Sequence, residues 1–233
     1  MNMTELTMVK TAIGRELTTT KQQLSAATGY IDSILMKISG FQTDNKIGSL
    51  CLGVTSCERN VGVSTLAHNL ALNAGAFGLN GVLVLDANYV EPTQHKLFKI
   101  NRGPGIVDHL VRDEAIENCL HSFNNGQISV MMWGSNRVPI SAVSPLKLDG
   151  FFSELRTRYQ MIVIDMPVIR ELDYSTLLAS HTDGILLVLD GNRTRKRAVK
   201  RCLSSLQQHD ATIIGTIMNR YQSPLPRWLK SWF

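Results

Sequence analysis

From about residue 48 onward, short apolar runs alternate with stretches whose apolar residues recur at three- and four-residue spacing, and nothing else in the 233-residue chain restricts its fold as strongly. The runs are IGSLCLGVTS, GVLVLDANY, QISVMMWG, QMIVIDMP, DGILLVLDG and ATIIGTIMNR. Their apolar character is continuous rather than alternating, which suits parallel strands covered on both faces. Between them, STLAHNLALNAGAFG places Leu66, Leu70, Ala74 and Phe77 on one side and stops at Gly78. GPGIVDHLVRDEAIENCL turns at its glycine and proline and continues as helix. LKLDGFFSELRTRY carries Leu148, Phe152 and Leu155 on one side, DYSTLLASHT is a short helix, and TRKRAVKRCLSSLQQHD is a longer one. The alternation predicts an α/β fold: a doubly wound, mostly parallel sheet with right-handed crossovers and helices on both faces. Ligands of such sheets bind beyond the carboxyl ends of the strands. Three features fall there: the loop TSCERNVGVST, Asp86 and Asp165.

Composition narrows the class further. With 44% hydrophobic and 18% charged residues, the chain can bury one substantial core. No apolar stretch approaches the roughly 20 residues of a membrane-spanning helix, and MNMTELTMVK lacks the pattern of a secretory signal. Cys51, Cys57, Cys119 and Cys202 are scattered singly, without zinc-ligand spacing, and read as reduced thiols. The net charge of +5 suits an acidic partner, a membrane surface or nucleic acid, and selects none of them. Residues 1–45 form an N-terminal helical or flexible extension. Within it a helix is expected over about 15–38, with Ile31, Ile34, Leu35 and Ile38 on the face that packs on the core or meets another subunit. Residues 46–222 form the α/β domain, and 223–233 an aromatic and basic tail.

The loop has the outline of a phosphate-binding GxxxxGK[ST] sequence. In such loops glycines let backbone N–H groups face the phosphates and the following helix presents its positive end. The lysine reaches the terminal phosphates and the Ser or Thr hydroxyl ligates Mg²⁺. Here Gly62 and the helix start remain, and Ser64 and Thr65 stand at the metal-ligand end. Val63 replaces the lysine, Cys57 the first glycine, and Asn60 tolerates a left-handed backbone. Arg59, Asn60, Val61, Gly62, Val63, Ser64 and Thr65 are therefore the candidate nucleotide-binding stretch. Asp86 and Asp165, each closing an apolar run, are the two acids such a site requires.

Several segments in order, from about residue 48 to 221, resemble the cytoplasmic kinase domains of bacterial tyrosine kinases of the capsule and exopolysaccharide type, within the MinD/ParA class of P-loop ATPases. SLCLGVTSCERNVGVSTLAHNLALNAGAFG is similar to that family's strand, loop and helix. VLVLDANYVEPTQHKLFKINRGPGIVDHL is similar to its second acidic motif, YQMIVIDMPV to its Walker B strand, and IIGTIMNR to its last strand. The resemblance implies a fold of the P-loop NTPase type and ATP or ADP with Mg²⁺ as ligands. It implies Ser64, Asp86 and Asp165 at the metal, Asp86 and Asp165 as catalytic acids if the site is active, and Asn219 at the adenine edge. The departures fall on the chemistry: Val63 for lysine, Asn60 for glycine, Asn88 for an acid, Val90 for arginine, and no tyrosine cluster beside Tyr221. Loss of one charge-stabilising donor costs about 2.7–4 kcal/mol of transition-state stabilisation.

NRTRKRAVKR gathers Arg193, Arg195, Lys196, Arg197, Lys200 and Arg201; at helical spacing Arg193, Arg197, Lys200 and Arg201 share a face. That face is either a solvated outer helix or a dock for an acidic partner or anionic lipid. Nucleic acid ranks lowest among the partners, since no recognised module accompanies the charge. Trp228, Leu229, Trp232 and Phe233 in the tail pack on the domain, on a partner or in a membrane interface. The loop's lost lysine leads to a catalytically impaired, kinase-like regulatory or scaffold subunit, and the family resemblance implies exopolysaccharide or capsule synthesis and export as its pathway. It would be cytoplasmic, at the inner face of the membrane, docked to a membrane-embedded co-polymerase or export protein or to copies of itself. The alternatives are an active tyrosine autokinase or ATPase with an atypical loop, and a MinD/ParA-like positioning ATPase.

Overall fold

The computed structural model describes residues 8–10, 48–76, 78–79, 81–134, 142–170 and 174–220. Among them one eight-stranded sheet is built from β1 (Met8–Lys10), β2 (Leu50–Ser56), β3 (Val82–Asp86), β4 (Leu120–Phe123), β5 (Ile128–Met131), β6 (Met161–Asp165), β7 (Gly184–Asp190) and β8 (Ile213–Asn219). The spatial order is β1-β8-β7-β2-β6-β3-β5-β4. All pairs are parallel except β4 with β5. The helices are α1 (Val63–Ala76), α2 (Gln94–Leu97), α3 (Ile106–Arg112), α4 (Pro145–Arg158), α5 (Tyr174–Ser180) and α6 (Lys196–Gln208).

The period-two geometry of the strands splits their continuous apolar runs between two cores. Leu50, Leu52, Val54, Val82, Val84, Met161 and Val163 face one layer, covered by α1 through Leu66, Leu70 and Ala74. Cys51, Leu83, Leu85, Ile162 and Ile164 face the other, covered by α3, α4, α5 and α6. Both faces are thus buried, as the unbroken apolar runs require, and the sheet is doubly wound as expected. Burying a side chain such as Leu70, which is inaccessible to solvent, stabilises the fold by roughly 1.5–3 kcal/mol.

Three local expectations change. The helix expected to run from the glycine-proline turn to Leu120 stops at Arg112, because Asp113 adopts a left-handed conformation (φ 55°) and the Glu114 N–H closes back on the Asp108 carbonyl. A 3₁₀ turn over Ile116–Cys119 then leads into β4. β4 returns through a turn in which Asn124, Asn125 and Gly126 all have positive φ. Secondly, α6 begins at Lys196, so Arg193 lies in the preceding turn and does not share the helical face of Arg197, Lys200 and Arg201. Thirdly, Met8–Lys10 pair in parallel with Thr216–Met218 as an edge strand, which the polar N-terminal sequence did not announce. The expected helix over 15–38, Phe77 and the tail after Arg220 lie outside the described residues.

At the amino edge of the sheet, Arg156 of α4 fastens the layers. Its guanidinium donates to both carboxylate oxygens of Asp183 at 2.8 and 3.0 Å, and to the carbonyls of Ser49 and His181. The same Asp183 carboxylate accepts the Cys51 N–H at 2.7 Å. A charge pair largely removed from water needs such added hydrogen bonds to offset its desolvation.

Candidate functional site

The register of the sheet assembles the site. Asp86 and Asp165 close β3 and β6 as directly paired neighbours. Between β2 and α1, the loop curls through Asn60 (φ 60°) and Gly62 (φ 98°). The first N–H groups of α1 have no earlier turn to bond to and point out of the loop as an anion-binding end. A Cβ at Gly62 would collide with the side-chain amide of Asn219, so only glycine admits this approach. Asn219 itself donates Nδ2–H to the Val61 carbonyl at 2.7 Å, and its Oδ1 accepts the Arg220 N–H. The Nδ2 end of the amide thus holds the loop against β8, and the Oδ1 end is held by the backbone of the next residue.

Both carboxyl groups are fully buried. Burial first, and then the neighbouring Asp165 charge, holds the Asp86 carboxyl well above the usual carboxylate range. Burial likewise pushes Asp165 up to about 6, against the lowering effect of hydrogen bonds from Gln94 and Ser64. Gln94 is the residue that sequence reasoning passed over. It is fully buried; its backbone N–H donates to Asp86 Oδ2 at 2.8 Å. Its Nε2 donates to Asp165 Oδ2 at 2.8 Å and to the Ser64 carbonyl at 3.0 Å. One residue, through its backbone N–H and its side-chain amide, thus ties both acids to the start of α1. The only hint in sequence was a long polar residue in the short stretch after Asp86, which carries no periodic signal.

In front of this group lies a cavity of about 390 Å³, lined by Arg59, Asn60, Gly62, Val63, Ser64 and Thr65 of the loop. Lys96, Arg170 and Arg220 join Arg59 as lining cations, against Glu58 and Glu91. The cavity therefore suits an anion. Its metal end fits a Mg²⁺-bound nucleotide: Ser64 contacts Asp165, and Asp86 Oδ1 and Asp165 Oδ1 are buried without a hydrogen-bond partner. Such oxygens are matched to a hydrated cation. The apolar Val63 lines the cavity at the loop position where a GxxxxGK[ST] sequence carries its lysine. Among the described residues no cluster of three or more His, Cys, Asp or Glu forms a self-sufficient metal site, so a metal here would depend on the ligand's own phosphates. Of the sequence-derived candidates, the structure brings the loop residues, Asp86, Asp165 and Asn219 to one edge of the sheet, with Val61 buried beneath the loop and Thr65 exposed.

A parallel sheet with this loop-to-helix turn and paired strand-end acids has the fold of the MinD-type P-loop proteins. No protein-family model matches the chain. In sequence it is a relative of the bacterial tyrosine-protein kinases. It is 25% identical to the putative tyrosine-protein kinase CapB of Staphylococcus aureus, over 76% of this chain and 77% of the relative. It is 26% identical to the tyrosine-protein kinase YwqD of Bacillus subtilis, over 71% and 70%. The kinase domain of VpsO superposes with a TM-score of 0.73 at 26% identity, covering 87% of this chain and 100% of that domain. The septum-site-determining protein MinD of Pyrococcus horikoshii, solved with Mg-ADP, superposes with a TM-score of 0.64 at 18% identity, over 78% and 75%. Among the described residues, no helix is long and apolar enough to cross a membrane.

Proposed function

We propose that the chain is a catalytically impaired, kinase-like subunit of exopolysaccharide or capsule synthesis and export, acting by docking to a membrane-embedded partner at the inner face of the cell membrane. The observation that carries the impairment is Val63 at the turn into α1, facing the cavity in place of the lysine. The kinase relatives supply the pathway. Ser64, Asp86 and Asp165 would hold Mg²⁺, and the loop amides an ADP or ATP polyphosphate. The metal would neutralise phosphate charge; the chain's own part is to orient the phosphates and exclude water.

Docking is supported by α6. Its N-cap Arg195 makes no side-chain cap, and its first turn holds Lys196 and Arg197 with no acid. Cations at the positive end of a helix are unfavourable, each by about 0.3–1 kcal/mol. Arg193, Arg195, Lys196, Arg197, Lys200 and Arg201 are all exposed. A surface that retains cations against the local field suits an acidic partner. The retained acid pair favours one second reading, an active autokinase or ATPase with an atypical loop.

Calorimetry with Mg·ATP and phosphate release by the native chain, Val63→Lys and Asp165→Ala separate the two. The impaired reading expects no Asp165-dependent turnover in the native chain. It expects a gain of about two to three powers of ten on restoring the lysine. Asp165-dependent turnover in the native chain, unimproved by Val63→Lys, would overturn it.

A further inference from the structure

Cys57 occupies the first turn of the phosphate-binding loop, and Cys202 lies on the inner side of α6, 4% exposed. Far apart in sequence, the two thiol side chains come against one another in the fold. The segments carrying them are joined at two further points. Thr194 Oγ1 donates to Glu58 Oε2 at 3.1 Å, and Arg193 Nη2–H donates to the Arg59 carbonyl at 3.1 Å. Cys57 is half-exposed and packs on the same apolar cluster that holds Cys202. Loop and helix are thus already in register around a pair of sulfurs.

We propose that Cys57 and Cys202 are an oxidative modification site: a thiol pair that a peroxide converts to an intramolecular disulfide, fastening the phosphate-binding loop to the basic helix α6.

The two sulfurs are not equivalent. The contact with Cys202 draws the Cys57 thiol below its ordinary range, and the same contact, with burial, raises Cys202. Cys57 is also the one with access to solvent, and reactivity follows thiolate character and exposure. In the first step the Cys57 thiolate attacks hydrogen peroxide. An S–O bond forms, the O–O bond breaks, and Cys57 becomes a sulfenic acid with release of hydroxide. In the second step the Cys202 sulfur displaces that hydroxyl; the S–S bond forms, and the Cys202 proton leaves with the hydroxyl as water. The two thiols together lose two electrons and one peroxide gains them. The other cysteines are poor competitors, since burial pushes Cys51 up to about 12 and Cys119 to about 11. The modification concerns the loop itself and does not depend on whether nucleotide is turned over.

The test uses the reduced full chain, treated with hydrogen peroxide, alkylated with iodoacetamide, digested without reductant and mapped by mass spectrometry. A Cys57–Cys202 linked peptide pair is expected, at least tenfold more abundant than any pair containing Cys51 or Cys119, and reversed by dithiothreitol. In Cys202→Ala, Cys57 should be trapped by dimedone as the sulfenic acid, and Cys57→Ser should leave Cys202 alkylated as a thiol. Hydrogen exchange of the amides from residue 58 to 63 should slow at least fivefold in the oxidised chain. Recovery of both residues as free thiols would overturn the proposal. So would their separate oxidation to sulfinic or sulfonic acids, bridging between chains, or unchanged loop exchange once the bond has formed.

Discussion

Replacing Asp165 with asparagine should make the protein more stable at neutral pH, although the residue sits at the centre of the candidate site. Asp165 is fully buried beside Asp86, and burial lifts its carboxyl from 3.8 to about 6. Because the folded value lies above the unfolded one, the folded chain binds more protons between these limits. Its stability is greatest below pH 3.8 and declines as pH rises through about 6. At roughly 1.4 kcal/mol per pH unit, this amounts to about 3 kcal/mol. Asparagine keeps an oxygen to accept the Gln94 Nε2–H and removes the charge. It also relieves the repulsion that helps raise Asp86. Urea unfolding of the native chain and Asp165→Asn, in EDTA-containing buffer at pH 4, 6 and 8, is the assay. The variant should gain about 3 kcal/mol at pH 8, or roughly 6–12 °C in Tm for a domain of this size, and the difference should close at pH 4. A variant destabilised equally at pH 4 and pH 8 would refute the reasoning, since the hydrogen bonds of the carboxylate would then outweigh the cost of burying its charge. Such a stability cost is what the proposed cation site would entail with no cation bound.

Gly62→Ala should cost about 2–3 kcal/mol in chemical denaturation, from the left-handed backbone and from displacing Asn219 off the Val61 carbonyl. Combining it with Asn219→Ala should cost less than the sum of the two, and strict additivity would show that the two residues do not meet. Arg156→Ala should cost about 3 kcal/mol by leaving Asp183 and two carbonyls without their donor. A double-mutant cycle with Asp183→Asn checks it, and a coupling below about 0.5 kcal/mol would contradict the assignment.

The order of strands and helices, the two-sided burial of the sheet and the edge on which the site forms were readable because each rests on a local pattern. Continuous apolar runs demand cover on both faces, and strand-end acids next to a glycine turn can only gather at the carboxyl edge. β4 was missed because the reading carried the helix through Glu114 to Leu120, although the Asn-Asn-Gly turn that follows is a recognisable hairpin signal. Arg193 was placed on the basic helix because spacing alone does not say where a helix begins. Val63, by contrast, was legible at once, since a missing charge in a motif is a property of the letters themselves.

Only the tertiary structure could decide which side chains meet across the crossovers. Gln94 bridging two acids, Asn219 gripping the loop at Val61, and Cys57 against Cys202 each join residues from separate strand–helix units. Such partners are chosen by how the units stack, and a hydrogen bond or a buried charge acquires its strength only after the sheet has excluded water around it. The sequence determined that this chain would build a phosphate-loop edge without its lysine. The packed sheet decided which neighbours hold that edge in place and how far burial shifts the ionisation of its acids.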